Sequence, residues 1–109
     1  NLIKKYKDIL AVIIEPIQGE AGVKIADKNY LKELNSLCKK NNILLIADEV
    51  QAGMGRTGKL FSFQHYDFKP DIITLAKALG GGLPAGAIIA SPDVADFLTL
   101  GPGRLQRPL

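Results

Sequence analysis

Short, continuous apolar runs separated by polar and glycine-rich stretches dominate the pattern of this chain. The runs are residues 9–14 (ILAVII), 43–47 (ILLIA), 71–75 (DIITL) and 86–90 (GAIIA). Short apolar runs bounded by turn residues are typical of strands that are buried on both faces of a sheet. The pattern therefore predicts four buried strands, and it leaves the segment IQGEAGVKIA after the first strand as a loop.

Apolar residues at helical spacing occur between the first two runs. They are Leu31, Leu34, Leu37 and Cys38. Asp27 precedes them in the position of an N-cap and Asn41 follows them, so a helix with one apolar face is predicted there. Ser91 followed by Pro92 predicts the start of a second helix after the last run. This order of strands and helices is typical of an α/β fold.

The stretch ADEVQAGMGRTGKL, at residues 47–60, matches parts of three nucleotide-site patterns. GMGRTG fits the dinucleotide pattern, GMGRTGK fits the front of a phosphate loop, and ILLIADE looks like an apolar strand that ends in acidic metal ligands. However, five residues separate the strand from Gly53, no apolar helix starts at Gly58, and Leu60 stands where a phosphate loop needs Ser or Thr. A glycine-rich turn is the better interpretation. A nucleotide-binding module that uses the loop from Gly53 to Lys59 is kept as an alternative.

Composition and charge exclude several classes of function. The 109 residues are enough for one domain, and the net charge of +3 comes from lysines dispersed among carboxylates. That arrangement is typical of a solvated surface, so we expect no nucleic-acid partner. No apolar run approaches the roughly 20 residues of a membrane span, so we expect a cytoplasmic protein without a membrane partner. The single Cys38 is expected to be a reduced thiol in the core.

Three polar residues follow predicted strands, at the end where α/β sheets bind ligands. They are Glu15, Asp48 and Lys77. If the strands are parallel, these side chains converge on one crevice, where Asp48 and Lys77 could form an ordinary ion pair. Lys77 has apolar neighbours on both sides (LA before it and AL after it), and desolvation there would favour the neutral amine. A neutral lysine amine attacks carbonyl carbons, so carbonyl chemistry is the second interpretation.

Three ordered motifs carry a family resemblance: EPIQGEAGV, LLIADEVQAGMGRTGKLF and PDIITLAKALGGGLPAGA. Together they resemble the class III aminotransferases that use pyridoxal 5'-phosphate, and within them the acetylornithine and ornithine type. The resemblance covers residues 10–100. It implies a fragment of the mostly parallel sheet in the large domain of fold-type I pyridoxal-phosphate enzymes, with residues 1–100 as a partial cofactor-binding domain. It also implies that the fourth strand is antiparallel to the third.

The resemblance implies roles for five residues and no metal site. Lys77 would bind the cofactor aldehyde covalently and later carry the substrate proton, and Asp48 would pair with the protonated pyridine nitrogen. Gln51 would hydrogen-bond the phenolic oxygen, and Val50 would pack on the ring. Glu20 corresponds to a glutamate that gates a substrate-binding arginine elsewhere in the family's chain. GMGRTGKL would be a structural turn.

The activity that the resemblance implies is transamination from N-acetylornithine, or a similar ω-amino donor, to 2-oxoglutarate in arginine biosynthesis, by a homodimer. Aminotransferases of ornithine, 4-aminobutyrate or diaminobutyrate, and aminomutases, share these motifs and stay open as alternatives. The chain begins with Asn1 and lacks the family's phosphate-binding and arginine residues, so we expect an inactive fragment. Residues 101–109 (GPGRLQRPL) depart from the family pattern, and within them Pro102 to Leu109 are expected to be out-of-frame or artificial sequence.

Overall fold

Six strands and three α-helices make up the described part of the chain. The computed structural model describes residues 2–6 and 8–99. In chain order the elements are α1 (Leu2–Lys5), β1 (Ala11–Ile14), β2 (Ile17–Gln18), β3 (Lys24–Ile25), α2 (Lys28–Lys40), β4 (Leu44–Asp48), β5 (Ile72–Leu75), β6 (Ala87–Ala90) and α3 (Pro92–Thr99). Short 3-10 helices lie at Ser62–His65 and Lys77–Gly80. The tail predicted at residues 101–109 lies outside the described residues.

The main sheet has four strands in the order β1, β4, β5, β6. The pairs β1–β4 and β4–β5 are parallel, whereas β6 runs antiparallel to β5. All four predicted strands are present within one or two residues of their predicted bounds. The prediction of an α/β fold with a mostly parallel sheet is confirmed, and so is the antiparallel direction of the fourth strand.

Helix α2 begins and ends where the sequence predicts. The Asp27 carboxylate accepts hydrogen bonds from the backbone N–H groups of Asn29 (2.8 Å) and Tyr30 (3.0 Å). These bonds satisfy two donors that a helix start leaves unpaired. At the other end Asn41 is the C-cap, and Asn42 has a φ of +54°, a left-handed conformation that ends the helix.

The hydrophobic core lies between α2 and one face of the sheet. Its buried members are Leu31, Cys38, Ile43, Leu45, Tyr66 and Phe68. Burial, reinforced by the Asp71 carboxylate, raises the pKa of the Cys38 thiol. The thiol is free and buried, which confirms the expected core role of Cys38.

Among the described helices, none covers the opposite face of the sheet as fully as α2 covers the core face. Ile13 on β1 is 60% exposed and Ile88 on β6 is 67% exposed. Successive strand residues point to opposite faces, and α2 covers only one of them. The prediction of strands buried on both faces is therefore wrong for β1 and β6.

The segment after β1 is a small hairpin, whereas the sequence predicts a loop. Strands β2 and β3 pair antiparallel, with Ile17 opposite Ile25. Two-residue strands are too short to produce a periodic signal, which explains the miss. The hairpin's turn carries Glu20, and the N–H of Ala26 donates to the carbonyl of Pro16 (3.0 Å) to close its base.

Within the part of the chain that the structure describes, no helix combines the length and apolar character needed to cross a membrane.

The Asp27→Ala variant should lower the free energy of unfolding by about 1 kcal/mol, because two helix N–H groups lose their acceptor. Denaturant unfolding followed by circular dichroism measures this. Asp8→Ala is the matched control, since it removes an exposed carboxylate ahead of β1. Equal losses in the two variants would show that the cap contributes nothing.

Candidate functional site

The carboxyl ends of β4 and β5 hold the first part of the site. Asp48 is the last residue of β4 and pairs in register with Thr74 of β5. One carboxylate oxygen, Oδ1 of Asp48, accepts hydrogen bonds from the Thr74 hydroxyl (3.2 Å) and the Val50 N–H (3.0 Å). Among the described residues nothing donates to the other oxygen, Oδ2. The carboxylate is thus oriented by the protein and has one oxygen free for a ligand.

Three other predicted site residues, Glu20, Gln51 and Lys77, form a second group. The Gln51 side-chain amide donates to Oε1 of Glu20, and the Lys77 ammonium lies 3.7 Å from the same oxygen. Glu20 comes from the β2–β3 turn, Gln51 from the turn after β4, and Lys77 from the residues just after β5. The hairpin that the sequence did not predict therefore brings Glu20 to the ends of the central strands.

The surroundings of Lys77 differ from the expectation. Its side chain is 54% exposed, so the apolar neighbours in sequence do not enclose the amine. Its ion pair is with Glu20, which is 84% exposed, rather than with Asp48. The prediction of a desolvated amine is therefore wrong for the described structure, in which more than half of the Lys77 side chain is open to solvent. A surface ion pair of this kind contributes little to stability.

The backbone at Lys77 is unusual. Its φ is +47°, in the left-handed region that residues with a side chain seldom adopt. Such a conformation costs about 1–3 kcal/mol and is often found where a side chain has to be aimed. Strand β5 ends at Leu75, Ala76 follows, and Lys77 begins the short 3-10 helix. The strained backbone at Lys77 therefore lies where the chain turns away from the strand.

Glu15 lies apart from this group. It lines a separate cavity of about 230 Å³ together with Gln18, Lys24 and Tyr30. Within the described residues no hydrogen bond or ion pair connects Glu15 to the residues around Lys77. No bond in the described part of the chain joins Glu15 to Asp48 or Lys77, so its expected convergence with them on one crevice stays a prediction.

The glycine-rich stretch after β4 is a turn, as the sequence analysis concluded. Gly55 and Gly58 have φ values of +86° and +88°, and no α-helix follows them before Ser62. The Lys59 ammonium donates to the carbonyl of Gln64 (2.7 Å), so it has a local partner instead of facing a phosphate site. In the described residues, no group of three or more His, Cys, Asp or Glu side chains could hold a metal ion.

The sequence did not indicate that two further residues, Thr74 and Glu49, contribute to the structure of this site. Thr74 orients Asp48, and the neighbouring Glu49 is buried with 1% exposure. Both oxygens of Glu49 accept hydrogen bonds, from Ser62 and Phe63. The two-residue alternation of strands was the available signal, since it sends Asp48 and Glu49 to opposite faces.

The arrangement combines a carboxylate, an amine and an amide at one open edge. Asp48 can accept a hydrogen bond from a cationic N–H group, and Lys77 can react with a carbonyl carbon near it. Gln51 can donate to a ligand oxygen once Glu20 releases it. These are complementary contacts for a flat ring that carries an aldehyde, a basic nitrogen and an oxygen.

Comparisons with known proteins identify the family of the chain. A family model described as aminotransferase class-III matches residues 1–104. The acetylornithine aminotransferase of Methanocaldococcus jannaschii is 57% identical over 91 residues, which cover 84% of this chain and 23% of that protein. The N-acetylornithine aminotransferase structure from Stenotrophomonas maltophilia K279a has a TM-score of 0.81 at 52% identity, covering 87% of this chain and 27% of that one.

A second similar structure is described with the cofactor. It is the ornithine aminotransferase of Toxoplasma gondii, with partial occupancy of PLP at its active site. The TM-score is 0.80 at 43% identity, and the match covers 89% of this chain and 23% of that one. The chain thus spans about a quarter of the length of the curated relatives it matches. By its sequence and its fold, the chain belongs to the class III aminotransferase family.

Proposed function

We propose that this chain is the central cofactor-binding segment of a pyridoxal-phosphate aminotransferase that passes the amino group of N-acetylornithine to 2-oxoglutarate in arginine biosynthesis. The observation that carries the proposal is the orientation of Asp48, which keeps one carboxylate oxygen free beside the strand that leads to Lys77. The acetylornithine aminotransferases among the relatives support the choice of donor.

The residues present fit pyridoxal phosphate. The free Oδ2 of Asp48 is an acceptor of the type that a protonated pyridine nitrogen requires. The Lys77 amine, at 54% exposure, is accessible to the aldehyde of a bound cofactor. Glu20 holds Gln51 and Lys77 only through an exposed contact, so a ligand that binds both can displace it.

Pyridoxal phosphate supplies a cationic ring that accepts the electron pair released when a substrate C–H bond breaks. Asp48 has the task of keeping the proton on the ring nitrogen, and Thr74 and the Val50 N–H keep its carboxylate aimed. The Nζ atom of Lys77 would hold the cofactor at its aldehyde carbon. The same amine, once free, would be the base that takes the proton from the substrate carbon.

Three further residues orient the ring and the substrate in this proposal. Gln51 would donate to the phenolic oxygen of the cofactor, and the Val50 side chain would pack against the ring. Glu20 exchanges its contact with Gln51 and Lys77 for one with the substrate-binding part of the enzyme. Contacts of this kind position the reacting groups, and small displacements of those groups lower the reaction rate strongly.

The proposal extends to the longer enzyme. Residues 1–100 are part of its large, cofactor-binding domain, and residues 101–109 are a tail of which the family model still matches the first four residues. The enzyme works as a homodimer in the cytoplasm on an amino donor and a 2-oxo acid. The reduced, buried Cys38 is consistent with a reducing compartment.

Ornithine is the second candidate donor. The Toxoplasma gondii structure is an ornithine aminotransferase with nearly the same TM-score as the acetylornithine enzyme. The two donors differ by an acetyl group on the α-nitrogen. Comparing both amines as donors to 2-oxoglutarate, in a full-length enzyme that contains this segment, distinguishes them.

Lys77 should be the lysine that reacts with pyridoxal phosphate. The purified chain is mixed with the cofactor, reduced with borohydride and mapped by peptide mass spectrometry. We expect a near-stoichiometric mark on Lys77, because the ring contacts of Asp48 hold the aldehyde close to that amine. Lys59 is the internal control, since its amine donates to the Gln64 carbonyl. Weak marks spread over many lysines, unchanged in a Lys77→Arg variant, would contradict the proposal.

The Asp48→Asn variant should bind pyridoxal phosphate about ten- to hundredfold more weakly, measured by absorbance titration. The amide can still accept from Thr74 and Val50, but it loses the charge that stabilises the ring proton, and hydrogen bonds to charged groups contribute about 1.5–3 kcal/mol. Asp93→Asn, at an exposed position of α3, is the matched control. An unchanged affinity in the Asp48 variant would remove Asp48 from the cofactor site.

The 109-residue chain alone should show negligible transaminase turnover with N-acetylornithine and 2-oxoglutarate. It spans about a quarter of its relatives, and Lys77 is half exposed to water, which weakens every electrostatic contact at the site. Coupled detection of glutamate formation measures the rate. Turnover comparable to ordinary enzymes, about 1 per second or more, would show that the chain needs no further segment.

A further inference from the structure

Glu49 is a buried carboxylate without a role in the site described above. It is 1% exposed and accepts three hydrogen bonds. Oε2 accepts from the Ser62 N–H (2.8 Å), and Oε1 accepts from the Ser62 hydroxyl (2.8 Å) and the Phe63 N–H (2.9 Å). Burying a carboxylate costs free energy unless hydrogen bonds replace its water, and here they do.

The position of Glu49 follows from the geometry of β4. Leu45 and Ala47 point into the core, and the alternation continues one step past the strand to Glu49. Asp48, between them, points to the opposite, open face. Adjacent carboxylates therefore have separate tasks, since one faces the interior and the other faces the candidate ligand.

The backbone of Glu49 connects three parts of the structure. Its N–H donates to the Thr74 carbonyl of β5 (3.0 Å), and its carbonyl accepts from the Gly53 N–H (2.9 Å). A Cβ atom at position 53 would lie 2.7 Å from that carbonyl oxygen, so only glycine permits this approach. With the side chain bound to Ser62 and Phe63, residues 50–61 form a loop whose two ends are held at Glu49.

Tyr66, four residues after Ser62, contacts the hairpin that carries Glu20. Its phenol donates to the carbonyl of Pro16 (3.3 Å), at the base of the hairpin. Burial, and then the negative charge of Glu49, raise the pKa of the phenol. The segment that Glu49 binds at Ser62 and Phe63 thus continues into a residue that holds the hairpin.

We propose that Glu49 is a positioning residue whose three hydrogen bonds hold the segment from Asp48 to Gln51 in the orientation that presents Oδ2 of Asp48 and the amide of Gln51 to the cofactor. The anchoring of the loop stands on the contacts alone. Its effect on the cofactor rests on the proposed function.

Three variants separate this role from general stability. Glu49→Gln keeps the size of the side chain, but its NH2 group faces an N–H or O–H donor where an oxygen stood. Ser62→Ala removes one of the three donors and keeps both backbone N–H groups. Glu33→Gln makes the same chemical change at an exposed position of α2 and serves as the control.

Hydrogen exchange of the cofactor-free chain tests the anchoring. In the wild type the N–H groups of Ser62, Phe63 and Gly53 should be protected. Glu49→Gln should speed their exchange at least tenfold and leave the amides in the middle of α2 unchanged, because the lost contacts are local. Unprotected amides in the wild type, or unchanged exchange in Glu49→Gln, would overturn the proposal.

The Ser62→Ala variant keeps the test decisive if Glu49→Gln fails to fold. It should speed exchange at Phe63 by a smaller factor than tenfold, with α2 again unchanged. Faster exchange spread equally over α2 and the loop would mean that Glu49 contributes only to global stability, and the positioning role would be rejected.

Affinity for pyridoxal phosphate tests the effect on the site. We expect about tenfold weaker binding by Glu49→Gln and unchanged binding by Glu33→Gln, in absorbance titrations of folded protein. If the wild type marks Lys77 and Glu49→Gln binds as tightly as the wild type, the positioning role is overturned while the proposed function stands. If the wild type protects Ser62 and Phe63 but never marks Lys77, the proposed function fails, and with it the role of Glu49 toward the cofactor.

Discussion

The parallel pairing of β4 with β5 is the constraint on which the site depends. It places Asp48 beside Thr74, and the hydroxyl of Thr74 then fixes the direction of the carboxylate. Parallel strands end at the same edge of a sheet, so residues far apart in the chain meet there without any contact of their own. Lys77 reaches that edge because β5 ends two residues before it. The helix α2 supports the arrangement from the opposite face, where the core lies.

Much of this could be predicted from the sequence because the signals are local. The apolar runs predict the four main strands, and the cap at Asp27 predicts the start of α2 to the residue. Asp48 and Lys77 were found because they follow two of those runs directly, and three motifs in a fixed order pointed to the family. In each case a few neighbouring residues carry the information.

The rest depends on contacts between distant segments, which a single sequence does not encode in a readable form. Glu20 meets Gln51 across 31 positions, through a hairpin whose strands are two residues long. The exposure of Lys77 depends on what covers the sheet, and its apolar neighbours in sequence gave the wrong expectation. Glu49 looked like a second acidic ligand beside Asp48, yet the alternation of the strand turns it into the core.

At Lys77 the backbone conformation favours glycine, whereas the side-chain contact requires lysine. A glycine there would adopt the same φ of +47° without steric cost, and the fold would gain by the change. Glycine has no side chain, however, so the change would also remove the ion pair with Glu20. The chain thus holds an amine at this edge at a local steric cost, and it bears the same kind of cost at Val23 and Met54, which have similar φ values.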